Sequence, residues 1–159
     1  MGSGTILREV IAAAELLENE WDVSADVWSV TSFNELRRDG IDAERWNMLH
    51  PGKKKRIPYI SQQLAKTKGP VVAATDYMRT YADQVRNYID RTYIVLGTDG
   101  FGRSDMRAAL RRFFEVNRYY VVVAALMALA EEGEVDAKTV TAAIKQYGID
   151  PEKPNPVTV

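Results

Sequence analysis

Apolar residues recur along this chain with two different periods, and the switching between them marks out the elements. From Thr5 to about Asn19, Ile6, Leu7, Val10, Ile11, Ala14 and Leu17 share one side of a 3.6-residue repeat, which predicts an amphipathic helix. Val23 to Val30 alternates instead and is rich in valine and tryptophan, which predicts a strand around Asp26–Val30. Ser32 stands three residues before Glu35, a capping-box spacing that opens a short helix through Leu36. Asp42 to Leu49 makes another brief helical turn, and Pro51 stops it. Ile60 and Leu64 mark a further short helix, closed by Gly69.

The second half repeats the alternation. Pro70 to Ala74 is a continuous apolar run, as expected of a strand buried on both faces. Thr75 or Asp76 then caps a helix in which Tyr77, Met78, Tyr81, Val85, Tyr88 and Ile89 recur at helical spacing. Tyr93 to Leu96 is a third strand, followed by a turn holding Gly97, Gly100 and Gly102. Ser104 and Asp105 supply helix-starting chemistry, and Leu110, Phe113 and Phe114 give the next helix an apolar face. Tyr119 to Glu132 is a nearly all-apolar helix ended by Gly133, and Asp136 caps a last helix to Tyr147. Strands alternating with helices predict one three-layer α/β/α domain with a mostly parallel sheet over residues 1–150. The tail 151–159, with Pro151, Pro154 and Pro156, is expected to be extended and mobile.

Three strands are few for such a sheet. Gly2-Ser3-Gly4 has the pattern of a strand-to-helix turn, yet only Met1 precedes it. Either the start is artificial or misplaced, or the helix begins the protein; the first two are favoured, and a strand is expected upstream of Met1.

Composition narrows the function. A length of 159 residues, 46% of them apolar and 27% charged, suits one globular domain with a real core. A formal charge of −1 argues against nucleic acid as a main partner, and the absence of cysteine rules out disulfides and thiolate metal sites. The longest apolar run, Tyr119 to Ala130, falls short of the ~20 residues a bilayer span needs. No secretion signal opens the chain, so a cytoplasmic location is expected, with no membrane partner.

Candidate chemistry is sparse. His50, the single histidine, stands at a helix end, where a partial positive charge is reason enough for it. Lys53-Lys54-Lys55-Arg56 reads as a solvated loop. The Gly97–Asp105 turn joins a strand end to a helix start and places Gly100, Gly102, Arg103 and Ser104 where an anion could sit. It matches neither the P-loop nor the dinucleotide fingerprint, and the glycines are equally explained by positive φ and close packing. An anion- or nucleotide-binding module using this turn, and an interaction module docking through the Tyr77–Tyr88 helix, stand as alternatives. No catalytic, cofactor-binding or metal-binding residue is assigned.

Four segments together are more specific. Asp26–Gly40, Asp42–Pro51, Ala74–Ile89 and Val95–Val116, in this order and spacing, resemble the C-terminal domain of the homodimeric-type pyruvate dehydrogenases. At fold level the chain resembles the C-terminal domain of the transketolase superfamily, where a turn like Phe101–Ser104 recurs. The resemblance implies a parent enzyme that decarboxylates pyruvate on thiamine diphosphate with magnesium and acetylates a lipoyl group on the acyltransferase component. Its partners would be the remaining domains, a second subunit and that component. The family's diphosphate motif, GDG followed by an asparagine pair, is absent here, so no cofactor is expected on this chain. The resemblance also implies that the strand before Gly2-Ser3-Gly4 is internal to the sheet.

Overall fold

In the computed structural model, which describes residues 1–159, two short parallel strands set the frame. β1 (Val71–Ala74) lies beside β2 (Tyr93–Leu96), with Val71 opposite Tyr93 and Ala74 opposite Leu96. β1 is valine and alanine throughout and β2 is the apolar run Tyr93, Ile94, Val95 and Leu96, as the sequence predicts. The strand expected at Asp26–Val30 is reduced to a single bridging residue, Ser29. The reason is its partner. Gly2 bridges Ser29 on one side and Ala74 on the other, both in parallel. The Gly2 N–H donates to the Trp28 carbonyl at 2.9 Å, and the Val30 N–H to the Gly2 carbonyl at 2.9 Å. The Ala74 N–H donates to the Met1 carbonyl at 3.0 Å. The order across the sheet is therefore the Asp26–Val30 segment, Met1–Gly2, β1 and β2, and two residues are too few to extend a ladder.

Helices cover both faces, giving the three-layer α/β/α arrangement. A 3₁₀ turn (Gly4–Ile6) leads into α1 (Leu7–Trp21), which shares one layer with α6 (Arg118–Glu131) and α7 (Ala137–Gln146). Ile6, Val10, Leu17, Val116, Val122 and Leu126 form the core of that side. On the other face α2 (Phe33–Leu49), α3 (Tyr59–Leu64) and α4 (Arg79–Asp83) enclose Val30, Phe33, Ile60, Leu64, Val85 and Val95. α5 (Arg107–Phe113) lies after the glycine turn. The stretch Arg107–Glu131 is long and apolar enough for a membrane span by length and composition. Glu115, at φ 62°, breaks it into α5 and α6, and α6 is given over to the core.

Four local expectations are corrected. α2 is one continuous helix through Gly40 rather than two short ones. A Cβ at Gly40 would come within 2.2 Å of the Tyr88 ring, so the glycine marks a close packing contact and not a break. The helix expected over Tyr77–Ile89 is split into α4 and a 3₁₀ turn (Arg86–Tyr88). The buried Tyr93 hydroxyl donates at 2.7 Å to the Ala82 carbonyl, an acceptor that a continuing helix would use itself. On α1 the apolar stripe is rotated: Ile11 is exposed, whereas Glu9 and Ala13 are buried. Finally, residues 151–159 are not an extended tail. They form two turns, bury Pro156, and are pinned by Lys153, whose Nζ donates to the Phe113 carbonyl at 2.8 Å and to Glu115 at 2.9 Å.

Candidate functional site

The carboxyl ends of β1 and β2 open onto the edge where parallel α/β folds usually hold ligands. The glycine turn fills most of it. Gly97 follows β2 so closely against α4 that a Cβ would lie 2.7 Å from the Arg79 nitrogen. Thr98 ties the two loops together, its N–H donating to the Tyr77 carbonyl at 2.9 Å and its hydroxyl to the Asp76 carbonyl at 2.6 Å. Asp99 accepts from the Arg79 N–H at 3.2 Å and pairs with the Arg79 Nε at 3.3 Å. It thus satisfies a free amide at the start of α4, the role the sequence assigns to Thr75 or Asp76. Thr75 instead accepts from the Tyr77 N–H and from the Ser3 hydroxyl.

The four candidate anion-binding residues are placed as follows. Gly100 has φ 113°, and a Cβ there would lie 2.2 Å from the Pro156 carbonyl, so the close approach this glycine allows is to the chain's own carboxyl-terminal residues. Gly102 is exposed with open space around it. The Arg103 guanidinium stacks 4.2 Å over the Phe113 ring. Ser104 is exposed. Gly100, Gly102 and Arg103 border one open cavity of about 580 Å³, together with Asp76, Asp105 and Arg107. Ser104 does not reach it, and the charges around it are of both signs. Asp105 accepts only from the next amide, that of Met106, at 2.6 Å, and α5 starts without a side-chain cap.

Beneath the turn lies a charged centre that the sequence reading missed. Glu9 of α1 is buried and accepts from Arg111 at 2.9 Å. Its other oxygen accepts from the Arg118 backbone N–H and the Arg118 Nε, each at 3.0 Å. Burial works against ionisation of Glu9, but the Arg118 hydrogen bonds and the charges of Arg118 and Arg111 hold its carboxyl below the usual carboxylate range. The arrangement fixes α1 to both sides of the Glu115 bend. It is a structural clamp with every carboxylate oxygen engaged. A signal for it existed: Glu9 is three residues after Ile6 and four before Ala13, on the buried stripe.

The remaining candidates lie apart. The His50 ring stacks on Trp46 with centroids 4.4 Å apart, and its Nδ1 is 2.8 Å from the Trp46 carbonyl. Arg56 covers the Trp46 ring at 4.5 Å, and Lys53, Lys54 and Lys55 are exposed. No three His, Cys, Asp or Glu side chains converge in a way that could hold a metal ion. Large apolar side chains are instead exposed at the carboxyl edge: Tyr77 at 65%, Met78 at 52%, Phe101 at 75% and Met106 at 81%.

Residues 1–117 match the model of the transketolase-like C-terminal domain. Along its whole length the chain is similar to the pyruvate dehydrogenase E1 components of several bacteria. It is 60% identical over 158 residues to that of Pseudomonas aeruginosa, covering 99% of this chain. The Escherichia coli K12 protein is 57% identical over 157 residues and the Cupriavidus necator protein 55% identical over 159. This chain spans 18% of the length of each of these relatives, in their C-terminal region.

Proposed function

The chain belongs to the transketolase-like C-terminal domain family, and on that premise we propose that it serves as the C-terminal domain of a pyruvate dehydrogenase E1 component. In this reading the full-length protein is a cytoplasmic homodimer that decarboxylates pyruvate on thiamine diphosphate with magnesium. It then passes the acetyl group to a lipoyl group on the acyltransferase component. Thiamine diphosphate supplies carbanion stabilisation when bound. The residues of this chain do not fit that cofactor: they offer neither a diphosphate motif nor a cluster of metal ligands. No chemical step is assigned to them.

The domain's own contribution is packing against the cofactor-binding domains and the second subunit. The observation that carries the reading is an identity of 60% running through 99% of the chain rather than being confined to the glycine turn. The exposed Tyr77, Met78, Phe101 and Met106 support it, because large apolar side chains gathered at one edge mark a surface that meets another. The anion-binding alternative gains no such support, since Arg103 is stacked on Phe113 and Pro156 occupies the space over Gly100.

A chimera tests the proposal. This chain is joined in place of the matching C-terminal segment of the Escherichia coli E1 protein, and pyruvate-dependent NAD reduction is measured with the other components of the complex. The expected result is activity well above that of the truncated enzyme. A folded chimera no more active than the truncated enzyme would overturn the reading.

A further inference from the structure

The basic residues of this chain are unevenly spread. From Arg45 to Thr75 there are seven lysines and arginines and no aspartate or glutamate, although the whole chain carries a formal charge of −1. Lys53, Lys54 and Lys55 stand in the loop between α2 and α3, exposed and absent from every ion pair of the protein. The carboxylates of α2 are used elsewhere. Glu35 pairs with Arg38, Asp39 accepts from the Tyr59 N–H at 2.6 Å, Asp42 pairs with Arg56 at 3.4 Å, and Glu44 faces the Tyr88 hydroxyl.

A run of like charges is ordinarily a loose, self-repelling segment. This one is held. Asn47 closes the loop with both ends of its side chain, Nδ2 donating to the Arg56 carbonyl at 2.9 Å and Oδ1 accepting from the Arg56 N–H at 2.8 Å. The Lys53 N–H donates to the His50 carbonyl at 3.0 Å, and the Gln62 Nε2 to the Ile57 carbonyl at 2.7 Å. His50 and Arg56 both pack on Trp46. The pairing of Asn47 with Arg56 sets their neighbours Met48 and Ile57 at one neck of the loop. These two, with Leu49 and Tyr59, are each more than half exposed. Lysines without counter-charge and apolar side chains without cover thus share one fixed loop.

The loop lies away from the carboxyl edge. α2 starts at that edge, where the Gln84 Nε2 donates to the Asn34 Oδ1 at 2.7 Å, and its 17 residues run about 25 Å before the loop begins. Packing through that edge leaves the loop uncovered.

We propose that Met48–Tyr59 is a docking surface for an acidic polypeptide segment of another protein, one that carries apolar side chains among its carboxylates. The lysines steer and orient the segment, and the apolar side chains hold it. Because the loop is already ordered, docking costs it little conformational entropy. Other anions fit less well. The loop borders none of the larger cavities, so nothing encloses a small anion. Trp46 is taken up by His50 and Arg56 and offers no stacking platform for a nucleic-acid base. α2 turns Phe33 and Ala43 into the core, so no free apolar helix face is offered to a lipid surface. The surface is assigned from this loop alone, whatever protein the domain belongs to.

Two pools of short N-acetylated peptides are titrated into the chain at low salt, one of Asp, Glu, Leu and Phe in mixed order, the other of Asp, Glu, Gly and Ser. Backbone amide shifts are read by NMR. The first pool is expected to shift Met48, Leu49 and Lys53–Ile57 and to bind about tenfold more tightly than the second, the effect of burying roughly one apolar side chain. Lys53→Ser, Lys54→Ser and Lys55→Ser together should weaken the first pool about tenfold at an unchanged urea midpoint. If the triple variant loses stability, a salt titration of the parent chain takes its place, with the same weakening expected. No shifts in this loop, or equal binding of both pools, overturns the proposal. So does co-sedimentation with phosphatidylserine vesicles without peptide shifts, which assigns the loop to a lipid surface. Loop shifts that grow with protein concentration alone overturn it as well, by placing a second copy there.

Discussion

At the carboxyl edge of β1 and β2 the chain closes on itself. Asp99 reaches back to α4, Pro156 lies over Gly100, and Arg103 rests on Phe113. Along the outer flank of β1 the reverse holds: Met1–Gly2 makes the last pairings, and beyond them an apolar cavity is bordered by ladder positions with no partner strand. The comparison shows that a glycine turn beside a helix start is a poor indicator of a vacancy, because the same backbone freedom admits the protein's own chain.

If the carboxyl edge is held closed from within, its clamp should matter most. Glu9 and Arg111 are 8% and 13% exposed, and Arg118 is 42% exposed. Glu9→Gln strands two guanidinium groups and is expected to cost about 3 kcal/mol, the low end for a broken buried pair, as Arg118 reaches water. Urea unfolding measures it. The same clamp sets an acid limit. The Glu9 carboxyl titrates below its ordinary value in the folded chain, so its contribution is complete above pH ~4.3 and is lost as pH falls through the folded-state pKa. The variant should show a correspondingly flatter acid limb.

A smaller effect tests whether the carboxyl-terminal residues truly occupy the edge. Gly100→Ala places a side chain at φ 113° and against the Pro156 carbonyl, and should lose about 1–3 kcal/mol. Removing residues 154–159 in the same background should shrink that loss to the backbone strain alone. An unchanged cost would mean that the contact is incidental. The smallest effect is expected from Arg103→Ala, under ~1 kcal/mol for an exposed cation–π contact. Its phosphate titration should match that of the parent chain, and a clear loss of phosphate binding would reopen the edge as a ligand site.

The sequence made the periodic parts of this fold legible. β2 falls where Tyr93–Leu96 predicts it, Ser32 accepts from the Glu35 N–H, and Asp136 accepts from the Lys138 N–H. What escaped it depends on residues far away along the chain. Phe33–Leu49 reads as two short helices until Gly40 is seen packed against Tyr88, and the Tyr77–Ile89 helix reads as continuous until Tyr93 takes the Ala82 carbonyl. The Glu9 partners lie 102 and 109 residues away. At the candidate site the turn itself was legible, but its occupants were not: Pro156 comes from the far end of the chain and carries no motif.

The two layers also differ in the tyrosine each holds. Tyr93 belongs to the core shared with α2, α3 and α4, and burial, then the charge of Asp83, pushes its pKa well above 10. Tyr147 packs on the other core, where burial and its bond to Glu20 raise it to about 12. Both hydroxyls favour the folded state below pH ~10 and withdraw that support as alkali ionises them. Ultraviolet difference spectroscopy under alkali therefore gives the molecule a natural optical gauge. Phenolate absorbance arriving late, in one step or in two, would tell whether the layers on either side of the sheet come apart together.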